Sequence, residues 1–366
     1  MKFTRYGRAA VIAVAGAIVL SSCAANEEAA PAASEGAAES TLSGDLVGIG
    51  ASSQGSAQES WVAGFQRANP DVNISYDPAG SGGGRDAFIA GSADFIGTDR
   101  AFNDEELAAG EFAACADAKI VELPLYISPI AVIFNLEGVD TLNMDAATIA
   151  GIFTGAITNW NDPAIAEANP DATLPDLTIT AVHRSDDSGT TENFTDYLFQ
   201  VAPDVWTIEP DGVFPEALGG EAAKGTSGVV DAVTNGTGTI GYADASRAGD
   251  LGTVSVKVGD EFVEYSPEAA AAIVDASPLV EGRGDNDLAI ELDRLSEEAG
   301  IYPIVLVSYL VACETYTETE NVELLKAYFT YIASEEGQNV AAEAAGAAPI
   351  SSALFEKIQP AIDAIK

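Results

Sequence analysis

The chain has 366 residues, of which 57 are acidic and 16 are basic, so its formal net charge at pH 7 is −41. This charge argues against nucleic acid as a partner, because contacts to a phosphate backbone need clustered Lys and Arg. It does not exclude a small anion, since charges more than about 8 Å from a buried site are screened at physiological salt. The length exceeds that of most single hydrophobic cores, and we therefore expect two lobes.

The first 23 residues are typical of an export signal. Basic residues at positions 2, 5 and 8 precede an apolar run over 9–20, which is too short to span a bilayer comfortably. The run ends in Leu-Ser-Ser-Cys, which resembles the lipobox where bacteria cleave a signal peptide and lipidate the new N-terminal cysteine. We therefore predict a signal peptide over 1–23 and lipid on Cys23; the alternative is an ordinary secretory signal with a chance cysteine. Residues 24–43 are rich in Ala, Glu, Ser, Pro and Gly, which predicts a disordered tether.

Short β-type runs alternate with amphipathic helical runs after the tether, a pattern typical of an α/β fold with a largely parallel sheet. Before residue 126 we predict strands over 45–49, 72–76 and 94–97, helices over 57–68 and around 88–89, and a helix that begins with a capping box of Asn103 and Glu106. Further along we predict helix 146–153, strand 177–182, helix 191–199, and C-terminal helices around 325–332 and 354–362. Long apolar strands over 120–134 and 302–312 would cross between the lobes, which assigns 44–126 and 301–366 to lobe I and 127–300 to lobe II.

Cys115 and Cys313 are the cysteines that follow the signal. An exported protein lies where disulfides persist. If the two long strands pair in antiparallel orientation, the end of the second lies beside the start of the first, which brings Cys313 close to Cys115. We therefore predict a disulfide between them; the alternative is two buried free thiols.

Three Gly- and Ser-rich stretches, 48–53, 80–84 and 184–190, lie between predicted strands and helices. Such junctions offer free backbone N–H groups, hydroxyl donors and the positive end of a helix dipole, all of which favour an anion. Each stretch alone is more often a turn that lets the chain bend. Three at equivalent topological positions together predict an oxyanion site.

Charged residues near these stretches suggest which oxyanion binds. Arg184 offers a planar fork of donors for two oxygens of a tetrahedral anion, and Asp186 is placed to orient it. Asp99 would repel an anion unless the ligand carries a proton for its carboxylate to accept. Phosphate keeps a proton near neutral pH and sulfate does not, so Asp99 could separate the two ions; the alternative is an exposed or helix-capping Asp.

The sequence also resembles the phosphate-binding proteins of high-affinity bacterial phosphate importers, collinearly from about residue 42 to the C-terminus. The matching segments are 48–53, 79–83, 94–100, 152–165, 184–198 and 238–242. The run through Trp160 and the Arg-Ser-Asp-x-Ser-Gly-Thr run are the most specific of these. The resemblance implies an α/β, type II periplasmic-binding-protein fold, in which two lobes on a two-strand hinge close over phosphate.

The resemblance also assigns roles to individual residues. It places phosphate contacts on Ser52, Ser53, Ser81 with Gly82 beside it, Asp99, Arg184, Ser188, Gly189 and Thr190, and it makes Asp186 the residue that orients the arginine. The first loop departs from the family, which often has Thr-Phe followed by Pro where this chain has Ser52-Ser53-Gln54. His183, the single histidine, is also unusual before the arginine. We expect no cofactor, no metal and no enzymatic activity.

The implied partners are inorganic phosphate, the membrane through the lipid anchor, and the permease of an ABC importer driven by a cytoplasmic ATPase. We expect a monomer on the outer face of the cell membrane. A binder of sulfate, molybdate or tungstate with the same fold, or a phosphate sensor, stays open as an alternative.

Enzymatic alternatives have weaker support. A serine hydrolase using Ser188 or Ser185 with His183 is disfavoured because a triad needs its histidine from a different segment. The 223–226 segment lacks P-loop spacing, and the acids at 285, 287 and 293 lack the pattern of a calcium loop.

Overall fold

The computed structural model of the protein describes residues 41–366. The predicted signal peptide, Cys23 and the tether up to residue 40 lie outside the described residues. Within the described part the strands are β1 (Gly44–Gly50), β2 (Val72–Asp77), β3 (Phe95–Thr98), β4 (Ile120–Phe134), β5 (Thr141–Met144), β6 (Thr180–Arg184), β7 (Glu221–Ala223), β8 (Thr239–Asp244), β9 (Gly252–Val258), β10 (Glu261–Val263) and β11 (Val305–Cys313).

The α-helices of the same part alternate with these strands in the first half and cluster at the C-terminus. They are α1 (Gly55–Ala68), α2 (Ser81–Ile89), α3 (Asp104–Ala109), α4 (Ala146–Phe153), α5 (Pro163–Ala168), α6 (Gly189–Val201), α7 (Gly225–Asn235), α8 (Pro267–Ala276), α9 (Val322–Ala333), α10 (Glu335–Ala345) and α11 (Ser352–Ala364).

Local sequence signals account for several of these elements. Trp61 and Phe65 lie on the buried face of α1, as their helical spacing predicts. The capping box of α3 is confirmed: Asn103 Oδ1 accepts the Glu106 N–H at 2.9 Å, and Glu106 Oε2 accepts the Asn103 N–H at 2.8 Å. Strand β6 begins at Thr180, three residues later than predicted.

Helix α2 begins earlier than predicted, at Ser81, and includes three consecutive glycines. Glycine is a poor helix former, but the helix lies so close to β1 that a larger residue would not fit. A Cβ on Gly84 would lie 2.7 Å from the Cα of Gly50. The glycine therefore lets the first turns of α2 approach β1 closely, and local propensity loses to this packing.

The sheet is mixed, which corrects the prediction of a largely parallel one. The strand order is β2-β1-β3-β11-β4-β8-β6-β7. Strand β1 is parallel to β2 and β3, and β6 is parallel to β7 and β8. Strand β11 is antiparallel to β3 and β4, and β4 is antiparallel to β8. The chain leaves the β1–β3 region along β4 and returns to it along β11, so these two long strands must run in opposite directions.

Strand β4 connects the two parts of the sheet. All 15 of its residues are buried. Its 120–129 portion pairs with β11, and its 130–134 portion pairs with β8. The antiparallel pairing that was expected for the two long strands is confirmed, while the lobe boundaries at 126 and 300 stay a prediction.

The disulfide between Cys115 and Cys313 is confirmed, with a Cα–Cα distance of 5.2 Å across a sequence separation of 198. Cys313 is in register with Ile120 at the start of β4, so the antiparallel pairing brings the two cysteines together as the sequence predicted. The alternative of two free thiols is therefore wrong. A crosslink over so long a loop restricts the unfolded chain strongly.

Candidate functional site

The predicted site residues lie where strands end and helices begin. Ser52 and Ser53 follow β1, Ser81 begins α2, and Asp99 follows β3. Because β1 and β3 are parallel, their carboxyl ends share one edge of the sheet. In open α/β sheets, ligand sites form at this edge. Arg184 ends β6, and Ser188 caps the α6 helix that follows.

Asp99 is the centre of the arrangement and is only 3% exposed. Its Oδ1 accepts hydrogen bonds from Ser53 Oγ and Ser308 Oγ, both at 2.6 Å. Its Oδ2 accepts one from Thr190 Oγ1 at 3.1 Å, and its backbone N–H donates to Ser81 Oγ at 3.1 Å. The structure thus brings residues of all three predicted loops into contact with Asp99, and the alternative of an exposed or capping Asp is wrong.

Burial raises the pKa of the Asp99 carboxyl above its ordinary value. The hydrogen bonds from Ser308 and Ser53, the positive charge of Arg184 and the hydrogen bond from Thr190 oppose this rise. Arg184 therefore lies close enough for its charge to act on Asp99. The site combines a desolvated acceptor with a nearby fixed cation.

Arg184 is held by a bidentate contact with Asp186. Its Nε donates to Asp186 Oδ1 at 2.8 Å, and its Nη2 donates to Asp186 Oδ2. Asp186 Oδ1 also accepts the Gly225 N–H at 3.0 Å. Burial by itself would raise the pKa of the Asp186 carboxyl. The contacts with Arg184 and Gly225 outweigh burial and hold this pKa below its usual value. A guanidinium has five N–H donors, so three are left over from the Asp186 contact.

The start of α6 lies directly against the Asp99 loop. Ser188 Oγ accepts the Thr191 N–H at 3.2 Å and so caps the helix. A Cβ on Gly189 would lie 2.5 Å from the Asp99 Cβ and 2.7 Å from Ser81 Oγ. Only glycine allows this approach, which brings the first turn of α6 and its backbone N–H groups to the site.

Gly80, in the second Gly- and Ser-rich stretch, likewise allows a close approach to Arg184 and Asp186. A Cβ on Gly80 would lie 2.8 Å from Asp186 Oδ2 and 3.8 Å from Arg184 Nη2. Gly80 also has a φ of 103°, which favours glycine. The Arg184 fork is therefore adjacent to the N-terminus of α2.

The two serines of the first loop face different partners. Ser52 Oγ lies 3.1 Å from Thr226 Oγ1 and accepts the Thr226 N–H at 3.2 Å. Ser53 is 1% exposed and donates to Asp99. Where the resembling family often has an aromatic ring, this chain thus has a hydroxyl that contributes a hydrogen bond.

Sequence reasoning missed Ser308, Gln54 and Thr226. Gln54 Nε2 donates to Ser308 Oγ at 2.7 Å, and Ser308 in turn donates to Asp99. A serine inside the fully buried apolar strand β11 is a signal that could have identified Ser308. Thr226 lies at the start of α7, a position that was considered only as part of a P-loop.

His183 packs away from the neighbouring serines. Its ring stacks on Phe214 with centroids 4.2 Å apart, and its Nδ1 lies 2.9 Å from the carbonyl O of Arg184. Ser188 uses its hydroxyl to cap α6. The base-to-nucleophile contact of a hydrolase is therefore not formed by this histidine.

Two further findings concern the part of the chain from residue 41 onward. No group of three or more His, Cys, Asp or Glu side chains there is placed to hold a metal ion. No helix in this part is both long enough and apolar enough to cross a bilayer.

Comparisons with known proteins agree with this fold. A family model described as a PBP superfamily domain matches residues 35–336. The chain is 33% identical to phosphate-binding protein PstS3 of Mycobacterium bovis (strain BCG) over 339 residues, which cover 90% of each protein. It is 30% identical to PstS2 of the same strain over 374 residues, which cover 100% of each. A solved phosphate-binding protein from Stenotrophomonas maltophilia is similar in fold, with a TM-score of 0.67, 20% identity, and coverage of 87% of this chain and 93% of the other.

The chain therefore belongs to the PBP superfamily and, within it, to the family of these phosphate-binding proteins.

Proposed function

We propose that this protein captures inorganic phosphate outside the cytoplasm and delivers it to the permease of an ABC importer. The observation that carries the proposal is the buried Asp99 carboxylate, surrounded by hydroxyl donors and near the Arg184 guanidinium. The curated relatives, which are named phosphate-binding proteins, support the same ligand. Binding needs no bond to form or break, so we propose a transport role and no enzymatic one.

The ligand contacts follow from the donors around Asp99 and Arg184. The free N–H groups of Arg184 would bind two phosphate oxygens, and the α6 start with Ser188, Gly189 and Thr190 would bind others. Ser52, Ser53 and Ser81 with Gly82 would complete the cage, and Asp186 would keep the guanidinium in line. Several charge-assisted hydrogen bonds contribute about 1.5–3 kcal/mol each. Their sum suffices for a micromolar or tighter Kd even after the free energy needed to close the lobes is subtracted.

Asp99 would select a ligand that carries a proton and can donate it in a hydrogen bond. Among the described residues one hydroxyl donates to Oδ2 and two donate to Oδ1. A carboxylate oxygen accepts about two hydrogen bonds, so Oδ2 can accept one more. Phosphate near neutral pH can donate it, whereas sulfate has no proton and would bring only repulsion.

The experiment that tests this function is calorimetric titration of protein that has been unfolded and refolded with its disulfide intact, which removes any ligand that co-purifies. We expect one-to-one binding of phosphate and no heat with sulfate. Silence with phosphate together with binding of sulfate or molybdate would favour the alternative of another oxyanion. No contact among residues 41–366 favours a sensor over a transport protein.

The finer parts of the proposal concern closure and location. We infer that residues 44–126 with 301–366 and residues 127–300 act as two lobes hinged at β4 and β11, and that the closed monomer docks on a permease whose energy comes from a cytoplasmic ATPase. Lipid on Cys23 would hold the protein at the outer face of the membrane. Since one acyl chain binds only marginally, several chains are needed for a stable anchor.

The anchor has a direct test. A Cys23→Ser chain should lose lipid labelling in the producing bacterium and appear in the soluble extracytoplasmic fraction, while the wild type stays with the membrane. Purified Cys23→Ser protein should bind phosphate as the wild type does. If the wild type is released as the variant is, the sequence carries an ordinary secretory signal; membrane retention of the variant would mean that another segment, such as an uncleaved signal, anchors the chain.

A further inference from the structure

Ion pairs at the edge of the candidate site join segments that are far apart in sequence. Glu106 of α3 pairs with two arginines: Arg100 binds it through Nη1 at 2.6 Å and Nη2 at 3.0 Å, and Arg85 Nε lies 3.4 Å from its Oε1. The Asn103 N–H gives Glu106 a further donor. One carboxylate thus positions two guanidinium groups.

Both arginines also contact the segment that carries the second half of the site. Arg85 Nη2 lies 3.3 Å from Asp187 Oδ1, and Arg100 Nε lies 2.9 Å from Glu192 Oε2. Asp187 and Glu192 flank the Ser188–Thr190 segment, whereas Arg100 follows Asp99 directly and Arg85 of α2 donates through Nη1 to Thr98 Oγ1 at 3.2 Å. The two arginines therefore precede strand β4 in the sequence, and both of their acidic partners follow it.

The surroundings of this network are partly dry. The Arg85 side chain is 6% exposed, those of Arg100 and Glu192 are 20% and 23% exposed, and that of Asp187 is 44% exposed. Burial raises the pKa of the Glu192 carboxyl, against the charges of Arg100 and Arg85. Burial would also raise the pKa of the Glu106 carboxyl, but the hydrogen bonds from Arg100 and Asn103 hold this pKa below its usual value. Partly buried pairs are screened less than fully exposed ones.

We propose that Glu106, Arg85, Arg100, Asp187 and Glu192 form a clasp that holds the Asp99 loop against the start of α6 and sets how slowly phosphate leaves. The inference rests on the proposed function. Separation of Asp99 from Thr190 requires the Arg100–Glu192 pair beside them to break, and separation of α2 from the Arg184 loop requires the Arg85–Asp187 pair to break. None of the five clasp residues is among the proposed phosphate contacts, so they act as positioning residues.

The kinetic test measures how fast radiolabelled inorganic phosphate dissociates from the full chain into excess unlabelled phosphate. Glu192→Gln and Asp187→Asn are each expected to raise the dissociation rate constant about three- to tenfold, and to leave the association rate constant within about twofold. Glu105→Gln is the matched control: it removes the same charge from an exposed position of α3 and should change neither rate.

Two readouts separate a clasp from a general structural role. In the Arg100→Gln background, the effect of Glu192→Gln should fall below about 1.5-fold, because the pair is already broken. Dissociation from the wild type should accelerate with salt, and this dependence should weaken in the double variant. A rate for Glu192→Gln equal to that of Glu105→Gln, or equal effects in both backgrounds, would overturn the proposal.

A ligand-free measurement distinguishes failure of the clasp from failure of the proposed function. Amide hydrogen exchange of residues 95–103 and 187–193, measured without phosphate, should become faster in Glu192→Gln and stay unchanged in Glu105→Gln. A wild type that does not bind phosphate would refute the function, while this exchange result would still support or refute the clasp.

Discussion

The Asp99→Asn variant is expected to lose most of its preference for phosphate over sulfate. A site that is built to receive a ligand hydrogen bond can reject an analogue without the donor by about 10⁴ to 10⁵-fold. The amide of Asn removes the negative charge that repels sulfate and offers N–H donors in its place. We expect the ratio of phosphate to sulfate affinity to fall by about 10²-fold or more, with weaker phosphate binding and measurable sulfate heat in calorimetric titration.

Asp86→Asn is the matched control for this variant, since it makes the same substitution at an exposed position of α2. It should keep the selectivity of the wild type. If Asp99→Asn still rejects sulfate as strongly as the wild type does, discrimination comes from another group and the role assigned to Asp99 is wrong.

Asp99 should also affect how the stability of the ligand-free protein changes with pH. Because burial raises its pKa in the folded state, the folded protein binds more protons than the unfolded chain between the unfolded and folded pKa values. The contribution of Asp99 to stability is therefore greatest at low pH and decreases as pH rises through that window. In denaturant unfolding, the stability of Asp99→Asn relative to the wild type should therefore rise as pH rises through the same window.

Replacing Arg184 with lysine is expected to weaken phosphate binding by about 10² to 10³-fold, although the positive charge is kept. Arg184 uses one side of its fork for Asp186 and can offer the other to the ligand. The compact ammonium of lysine cannot present two parallel donors to each of two partners. Loss of two or more charged hydrogen bonds of about 1.5–3 kcal/mol accounts for the magnitude.

The controls for this prediction separate charge from geometry. Arg67→Lys, at an exposed position of α1, should leave affinity unchanged. Asp186→Asn should weaken binding less than Arg184→Lys, by about tenfold, because the guanidinium remains but loses its bidentate partner. An Arg184→Lys affinity within about threefold of the wild type in the same titration would show that the arginine does not bind the ligand through its fork.

Much of the site was accessible from sequence because its signals are local. The helical spacing of Trp61 and Phe65, the Asn103–Glu106 capping box and the Gly- and Ser-rich junctions involve residues a few positions apart. The two long apolar runs predicted the β4–β11 pair, and that pairing predicted the disulfide. Short-range sterics and hydrogen bonding determine such features in almost any tertiary context.

Other features were decided only by the tertiary structure. Ser308 contacts Asp99 across 209 residues, Ser52 contacts Thr226 across 174, and Arg100 contacts Glu192 across 92. No local pattern specifies such partners, since they depend on which strands become neighbours. The same reason explains the mixed sheet and the glycine-rich start of α2, where close packing overrides propensity. The sequence by itself determined the loops, the two long paired strands and the disulfide. The fold determined which hydroxyls surround Asp99 and which acids hold the arginines beside it, because topology alone brings such distant residues into contact.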